Sequence, residues 1–168
     1  MSVSIRRAAP NDYPALESIE NAADQLLIDR LSAERWEPAP SGSSRAEEPG
    51  FVLVADESAT GTIVGFVHVL ESGEIAHLEQ ISVLPEHGRR GYGRRLLEAA
   101  MDEARSRGFE RLTLRTYADV PWNAPFYAGL GFVETEPTTD FHKSLVDVEE
   151  RRGLDRYGRR VEMTAALR

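Results

Sequence analysis

The sequence predicts a single α/β domain in which a mixed, mostly antiparallel sheet is flanked by helices. Two apolar, β-branched runs at 51–55 and 62–70 flank a short turn-forming segment, which predicts an antiparallel hairpin. An amphipathic helical pattern over 92–107 leads into an alternating strand at 112–116, and a strand that follows a crossover helix predicts a parallel βαβ unit. With 168 residues the chain suits one domain spanning 1–168.

The elements before the hairpin are a short strand and a helical region. Residues 3–5 are strand-like, and the segment Asn11-Asp12-Tyr13-Pro14 is typical of a helix start, because an Asx side chain can cap and proline fits the first turn. Apolar residues then recur at helical spacing, which predicts one bent helix or two short ones up to about Trp36. The segment 37–50 is rich in Pro, Ser and Gly and predicts a mobile loop.

The strand predicted over 76–84 has an irregular apolar phase. Leu78 and Ile81 are an odd number of residues apart, whereas Ile81 and Val83 alternate properly. A bulge near Gln80 explains this slip, and so does burial of both faces of the strand. The distinction matters because a bulge leaves backbone groups unpaired and able to bind a ligand.

The elements after the βαβ unit are short. Asn123 can cap a helix that has Pro125 in its first turn and ends at Gly131. A strand at 132–133, a helix at 140–152 and an alternating closing strand at 161–167 complete the predicted order.

Composition and charge exclude several functional classes. The net charge of −8 argues against a nucleic-acid-binding surface, and the absence of cysteine excludes disulfides, thiolate metal sites and a cysteine nucleophile. The first residues lack an apolar signal core and no run approaches the roughly 18 apolar residues of a membrane span, so a cytoplasmic protein without membrane contact is expected. Four scattered histidines give no metal-ligand spacing, and His68 and His77 are expected on an exposed sheet face.

The segment 85–97 predicts an anion-binding loop. It places four arginines and three glycines between a strand and a helix, where close backbone approach, free helix N–H groups and guanidinium charge combine. A dinucleotide fingerprint would need glycine in place of Leu96, and a P-loop would need a lysine, although Lys143 is the only lysine of the chain. The loop therefore predicts a different phosphate-bearing ligand.

Two motifs about 30 residues apart resemble the GNAT superfamily of acyl-CoA-dependent N-acetyltransferases. The first is Ile81-Ser82-Val83-Leu84-Pro85 leading into Arg90-Gly91-Tyr92-Gly93-Arg94, and the second is Asn123-Ala124-Pro125-Phe126-Tyr127-Ala128-Gly129-Leu130-Gly131-Phe132. The resemblance covers roughly residues 5–133. It implies a splayed parallel pair of strands 4 and 5, acetyl-CoA as cosubstrate, and acetyl transfer to a primary amine of a small molecule by direct attack in a ternary complex.

The resemblance also implies which residues hold acetyl-CoA. The pantetheine arm would extend the fourth strand through its backbone near Ile81 and Val83, with Asn123 beside it. Tyr127 would protonate the departing thiolate. The superfamily usually has Gln or Arg where Gly88 stands, so that a neighbouring arginine is expected to supply the missing donor. The pyrophosphate would lie on the loop formed by Arg89, Arg90, Gly91, Tyr92, Gly93 and Arg94.

On the acceptor side, Glu79 is the leading candidate for the general base, with His77, Glu20 and a relayed water as alternatives. Glu79 could equally bind the ammonium group of the substrate. Tyr13 and Glu20 lie on the first helix, which borders the acceptor in similar enzymes, and they are expected to contact the substrate. Neither role of Glu79 requires a metal. The segment 137–158 is longer than a hairpin connection needs, so it is expected either to cover the acceptor or to pair subunits of a homodimer.

Two alternatives to a small-molecule acetyltransferase remain open from the sequence. One is a catalytically silent module that binds acyl-CoA as a sensor, and the presence of Tyr127 and Glu79 favours an enzyme over it. The other is acetylation of a protein or peptide amine.

Overall fold

The computed structural model describes residues 3–57 and 60–168, and its centre is a seven-stranded sheet. The strand order is β1-β2-β3-β4-β5-β7-β6, and all neighbours are antiparallel except β4 and β5. The predicted mixed, mostly antiparallel sheet is thereby confirmed. The strands are β1 (Val3–Arg7), β2 (Gly50–Glu57), β3 (Thr62–Ser72), β4 (Ile75–Val83), β5 (Arg111–Tyr117), β6 (Val133–Thr135) and β7 (Arg160–Ala166).

Helices cover both faces of the sheet. On one face α3 packs against a large apolar cluster that includes Leu96, Val67 and Leu114. On the other face α1 packs against a smaller cluster that includes Leu16 and Phe66. The helices are α1 (Tyr13–Leu31), α2 (Gly42–Glu47), α3 (Tyr92–Ser106), α4 (Ala124–Ala128) and α5 (Asp140–Arg151), with 3-10 turns at Pro10–Asp12, Pro85–His87 and Leu154–Tyr157. None of the helices in the described residues combines the length and apolar character that crossing a membrane requires.

The region after α1 differs from the sequence prediction in two ways. The helix ends at Leu31 rather than near Trp36, and Ser32 takes a left-handed conformation with φ of 51°. The predicted loop at 37–50 contains α2, whose first turn is capped by the Ser41 side chain, which accepts from the Ser44 N–H. A Cβ at Gly42 would lie 1.9 Å from the Tyr13 carbonyl oxygen, so that glycine permits the close approach of α2 to α1.

A bulge interrupts β4 at Glu79. His68 of β3 pairs with Gln80 and Val69 pairs with Leu78, which leaves Glu79 as the extra residue. The bulge predicted near Gln80 is therefore confirmed one residue earlier. Such a bulge redirects a side chain out of the regular ladder, and here it redirects a carboxylate.

The expectation that His68 and His77 are exposed is wrong. Their exposed fractions are only 2% and 4%. Arg45 of α2 covers His68, and Phe141 and His142 of α5 cover His77. These covering residues are distant in sequence from the two histidines. Because two imidazoles are buried beside polar partners, this face of the sheet is a candidate location for an active site.

Candidate active site

The parallel strands β4 and β5 separate at the centre of the sheet. Their pairing covers only Ala76–Leu78 and Leu112–Leu114, after which β3 is the only strand among the described residues that pairs with β4. The backbone from Glu79 to Val83, which includes Ile81, thus has a free edge facing β5. An extended ligand could bind along this edge by strand addition.

A loop of unpaired N–H groups lies where β4 leads into α3. Gly91 and Arg89 adopt left-handed conformations with φ of 80° and 61°. Among the described residues, the backbone N–H groups of residues 89–94 find no acceptor. Free amides at a helix start favour an anion because they add to the positive end of the helix dipole. We call residues 89–94 the phosphate loop.

The arginines of the phosphate loop are exposed and only weakly engaged. Arg90 contacts Nδ1 of His87 at 3.3 Å, and Arg94 donates to Glu98 at 3.1 Å in an exposed i,i+4 pair. Such pairs are worth only about 0.3–0.5 kcal/mol, so that a phosphate can compete for these guanidinium groups. The Tyr92 ring, in contrast, is 6% exposed and lies in the core, which leaves its backbone as the part that can contact a ligand.

Helix α4 lies beside the start of α3. A Cβ added at Gly93 would lie 3.9 Å from Cζ of Phe126, which is ordinary contact distance. Asn123 precedes α4, but its side chain does not cap the helix as predicted. Instead its Oδ1 accepts a 2.7 Å hydrogen bond from Thr116 of β5. This bond ties the second motif to the carboxyl end of β5, next to the separated strands.

Tyr127 is buried between aromatic neighbours. Its exposed fraction is 8%, and its ring packs edge to face against Phe126 and Phe132 at centroid distances of 5.3 and 5.8 Å. Burial raises the pKa of Tyr127 above its ordinary value. The phenol therefore stays protonated at neutral pH and can serve as a proton donor.

On the opposite face of the sheet, Arg45 of α2 joins residues from three other elements. Its guanidinium donates to Glu20 of α1, to Glu79 in the β4 bulge and to Nδ1 of His68, the last at 2.8 Å. The Arg45 side chain is 2% exposed, while its Nε has no hydrogen-bond partner in the described residues. A buried Arg bonded to two carboxylates fixes the position of both.

The two carboxylates bound by Arg45 have opposite proton affinities. Burial raises the pKa of Glu79, but its contacts with His68 and then Arg45 outweigh that effect and lower the pKa to about 2. Burial raises the pKa of Glu20 to about 7 despite the charge of Arg45. Glu79 is thus a charged group at neutral pH and a weak proton acceptor, while Glu20 titrates near neutrality. Glu79 remains accessible, with 37% of its side chain exposed.

A chain of hydrogen bonds extends from His77 through β5 to the start of α5. Nδ1 of His77 lies 2.8 Å from Oγ1 of Thr113 on β5, and the same oxygen lies 2.9 Å from Nε2 of His142 on α5. Nδ1 of His142 lies 2.6 Å from Oγ1 of Thr139. Burial lowers the pKa of His77 to about 3, so its ring is neutral at physiological pH.

The loop after α1 contacts the segment 137–158 at the border of this face of the sheet. The Trp36 and Tyr157 rings lie 6.4 Å apart, the Tyr157 hydroxyl contacts the backbone N–H of Arg35 at 3.2 Å, and Arg152 pairs with Glu37 at 3.0 Å. The 137–158 segment therefore contacts the loop after α1. We call the space bordered by α1, Arg45, β4 from His77 and α5 the acceptor cleft.

The structure brings some predicted site residues together and adds others. Glu20 and Glu79 meet at Arg45, whereas the Tyr13 side chain packs beside the apolar cluster beneath α1. Sequence reasoning missed Arg45, Thr113 and His142. The serine at position 41 was a capping signal for α2, but no local pattern indicated that Arg45 would be buried.

Comparison with known proteins identifies relatives over most of the chain. The model of the Acetyltransferase (GNAT) family matches residues 13–132. The [ribosomal protein bS18]-alanine N-acetyltransferase of Escherichia coli strain K12 is 29% identical over 142 residues, which is 81% of this chain and 94% of the relative.

Solved structures show the same fold. The crystal structure of the ribosomal-protein-S18-alanine N-acetyltransferase from Escherichia coli aligns with a TM-score of 0.71 and 24% identity, covering 99% of this chain and 94% of the other. The paiA N-acetyltransferase from Thermoplasma acidophilum, solved with coenzyme A, aligns with a TM-score of 0.70 and 18% identity over 99% of both chains.

Proposed function

Because the chain belongs to the acetyltransferase (GNAT) family, we propose that it transfers an acetyl group from acetyl-CoA to the primary amine of a small molecule. The amine attacks the thioester directly in a ternary complex, and no acyl-enzyme forms. The residues that perform this reaction lie on the two sides of the β4–β5 gap.

One observation carries the proposal: the phosphate loop and the free edge of β4 adjoin each other. Six consecutive amides without acceptors within the described chain can bind a pyrophosphate, and the unpaired backbone near Ile81 and Val83 can bind the pantetheine amides. An acyl-CoA bound in this way would point its thioester into the gap between the strands. Arg89, Arg90 and Arg94 add positive charge near the phosphates.

We assign the coenzyme side of the reaction to the second motif. Asn123, held by Thr116, would contact the pantetheine arm, and the buried hydroxyl of Tyr127 would protonate the departing thiolate. In water a phenol is a weaker acid than a thiol, with a pKa of about 10 against about 8.5. In a site that excludes water the thiolate is a stronger base, because burial disfavours its charge, and it can then accept the proton of the phenol. A backbone N–H near Val83 would bind the developing oxyanion.

We assign recognition of the ammonium group to Glu79. Its depressed pKa keeps the carboxylate charged, and its position in the bulge leaves it accessible from the acceptor cleft. A carboxylate with a pKa near 2 binds a cation well but takes its proton poorly, which favours anchoring over the general-base role. Glu20 and Tyr13 on α1 would border the rest of the acceptor.

The contact between the two bordering segments favours a small acceptor. Trp36, Tyr157 and the pair Glu37–Arg152 connect the loop after α1 to the 137–158 segment. These contacts would narrow the acceptor cleft, and a narrow cleft suits a compact amine better than an extended peptide.

A second candidate acceptor is the α-amine of a protein N-terminus. The observation that favours it is the 29% identity to an enzyme whose name specifies an alanine of ribosomal protein bS18. For such an acceptor, Glu79 would bind the terminal ammonium and the bordering segments would separate at the Trp36–Tyr157 contact.

A steady-state screen tests the proposal. Purified protein is incubated with acetyl-CoA and, in parallel, with small diamines, amino sugars, amino acids and a hexapeptide that begins with alanine, while release of free thiol is measured. We expect turnover with one of the small-amine classes. Faster turnover with the peptide would instead establish the second candidate, and calorimetric binding of acetyl-CoA without any turnover would indicate a silent sensor module.

A further inference from the structure

We propose that His77, Thr113, His142 and Thr139 form a proton relay that carries a proton from the acceptor amine to the protein surface. The inference rests on the proposed acetyl transfer and names the residues that complete its acceptor side. It assigns His77 as the group that meets the amine and the other three as positioning residues that act through it.

The geometry of the relay is continuous. Its three links, from His77 to Thr113, from Thr113 to His142 and from His142 to Thr139, measure 2.8, 2.9 and 2.6 Å. The first three groups are buried, with exposed fractions of 4, 8 and 6%, and Thr139 is half-buried at the start of α5 next to exposed residues. The relay therefore leads from the β4–β5 junction to the surface.

Each member of the relay can both donate and accept a hydrogen bond, so two orientations run continuously along it. The Thr113 hydroxyl also lies 3.4 Å from the carbonyl oxygen of Ala76, and it must donate along the relay rather than to that carbonyl for a proton to pass. In the first, Nδ1–H of His77 donates to Thr113, whose hydroxyl donates to Nε2 of His142, and Nδ1–H of His142 donates to Thr139. In the second, every donor and acceptor is exchanged, and Nε2 of His77 carries the proton. Only neutral rings are needed in both.

Proton transfer converts the first orientation into the second. The N–H bond of the ammonium breaks as Nε2–H of His77 forms, and one proton moves along each of the three links. The original hydroxyl proton of Thr139 leaves to water, so that the relay gains no net charge. After the product leaves, Nε2 gives its proton to water that enters the cleft, one proton moves back along each link, and Thr139 takes one from surface water, so that the first orientation returns.

The surroundings of His77 favour such a concerted path. Its Nε2 has no hydrogen-bond partner in the described residues, and its ring packs against Phe141 and His142 of α5. The charged groups that act on it are Glu79 of β4, Arg115 of β5 and Glu149 of α5. Arg115 is itself bound to Glu149 at 2.8 Å, so Glu79, which is paired with Arg45, is the charged group that acts on His77 from the acceptor cleft. An amine held by Glu79 would thus lie two residues along β4 from an uncharged base that passes its proton on.

Thr113→Val tests the relay because it replaces the central hydroxyl by a methyl group of similar size. We expect at least about a tenfold fall in kcat with an unchanged KM for acetyl-CoA, measured with the best acceptor of the screen. The proton inventory in H2O–D2O mixtures should change from curved to linear, because several protons no longer move in one step. Thr113→Ser, which keeps the hydroxyl, should restore both.

Thr164→Val is the matched control. Thr164 of β7 is the register partner of Thr113, and its hydroxyl bonds to Thr135 at 2.8 Å rather than to the relay. This variant should keep the wild-type kcat and proton inventory. If Thr113→Val keeps kcat within about twofold, or if Thr113→Ser and Thr113→Val lose it equally, the relay is wrong.

A measurement without substrate separates this proposal from the proposed function. The imidazole nitrogen shifts in NMR spectra report the tautomers of His77 and His142. Both rings should change their tautomer ratios in Thr113→Val and neither should in Thr164→Val, whether or not the protein acetylates an amine. Unchanged ratios in Thr113→Val would overturn the relay, whereas changed ratios in a protein that shows no turnover would overturn only the proposed function.

Discussion

Arg45 of α2 forms an ion pair with Glu79, the residue that bulges out of β4. The same guanidinium binds Glu20, so one buried cation connects α1, α2 and the centre of the sheet. Arg45 lies in a segment whose composition predicts a loop. Because it is buried between Glu20 and Glu79, the three charged side chains act as one electrostatic unit. In the proposed reaction, this unit would set the charge that the acceptor cleft offers to an amine.

Arg45→Met should destabilise the protein strongly. The substitution leaves Glu20 and Glu79 without their shared cation, and breaking a buried ion pair from one side typically costs about 3–5 kcal/mol. Urea unfolding at pH 7 measures the loss. Arg105→Met is the control, because Arg105 pairs with Asp102 on the surface and exposed pairs contribute at most about 1 kcal/mol. Equal losses in the two variants would contradict the role given to Arg45.

Glu20→Gln should remove a pH dependence of stability near neutrality. The folded-state pKa of Glu20 is about 7, above its ordinary value, so the folded protein binds the proton more tightly than the unfolded chain does. The stability from this group is complete below about pH 4.5 and is lost as the pH rises through 7, by at most about 1.4 kcal/mol per unit. Urea unfolding between pH 5 and 8 should show a flatter profile for Glu20→Gln than for the wild type. Substitution of the exposed Glu110 by Gln should leave the profile unchanged.

His77→Gln should alter the pH dependence in the opposite direction. The folded-state pKa of His77 is about 3, below its ordinary value, so the stability from its neutral ring is present above about pH 6.5 and is lost as the pH falls from there towards 3. Removing the imidazole should make the protein less sensitive to acid between pH 6.5 and 5, as measured by thermal unfolding. A variant as acid-sensitive as the wild type would show that another group causes the loss.

Gly91→Ala should weaken acetyl-CoA binding more than it weakens the fold. Gly91 has φ of 80° and a Cβ there meets nothing within 4 Å, so that the cost to stability is about 1 kcal/mol of backbone strain. Relief of that strain would turn the amides of the phosphate loop, and calorimetry should detect at least about a tenfold weaker Kd, equivalent to about 1.4 kcal/mol. Gly73→Ala has the same kind of strain, at φ of 58° in the β3–β4 turn, and should not change the affinity.

Tyr127→Phe should lower turnover with little change in acetyl-CoA affinity. The ring packing against Phe126 and Phe132 is kept, while the only proton donor that we assign to the thiolate is lost. General acids contribute typically about 10²–10⁴-fold, so we expect a fall in kcat within that range. Stopped assays of free thiol release, together with calorimetry, measure the two quantities. Unchanged turnover would remove the general-acid assignment.

Much of the fold was predictable because its signals are local. The hairpin of β2 and β3, the amphipathic α3 and the strand β5 after it follow from periodicity within single segments, and the structure confirms them. The phase slip around Gln80 indicated either a bulge or burial of both faces of the strand, and the structure shows the bulge, since a displaced residue shifts the alternation of its own strand. The phosphate loop was evident from glycines and arginines within ten residues.

The acceptor cleft, in contrast, was decided by contacts between distant segments. Arg45 meets His68, Glu79 and Glu20 across 23, 34 and 25 residues, and Thr113 meets His77 and His142 across 36 and 29. A sequence pattern reports which face of its own element is apolar, but not which other element covers it.

The sequence by itself therefore determined that this chain has a mixed sheet and predicted an anion-binding loop, because the signals for both lie in neighbouring residues. Only the tertiary structure decided that two histidines predicted to be exposed are buried, that Glu79 is held as a charged group, and that Glu20 titrates near neutral pH. The physical reason is that burial and charge pairing act through space, and both arise only when α2 and α5 pack onto the same face of the sheet.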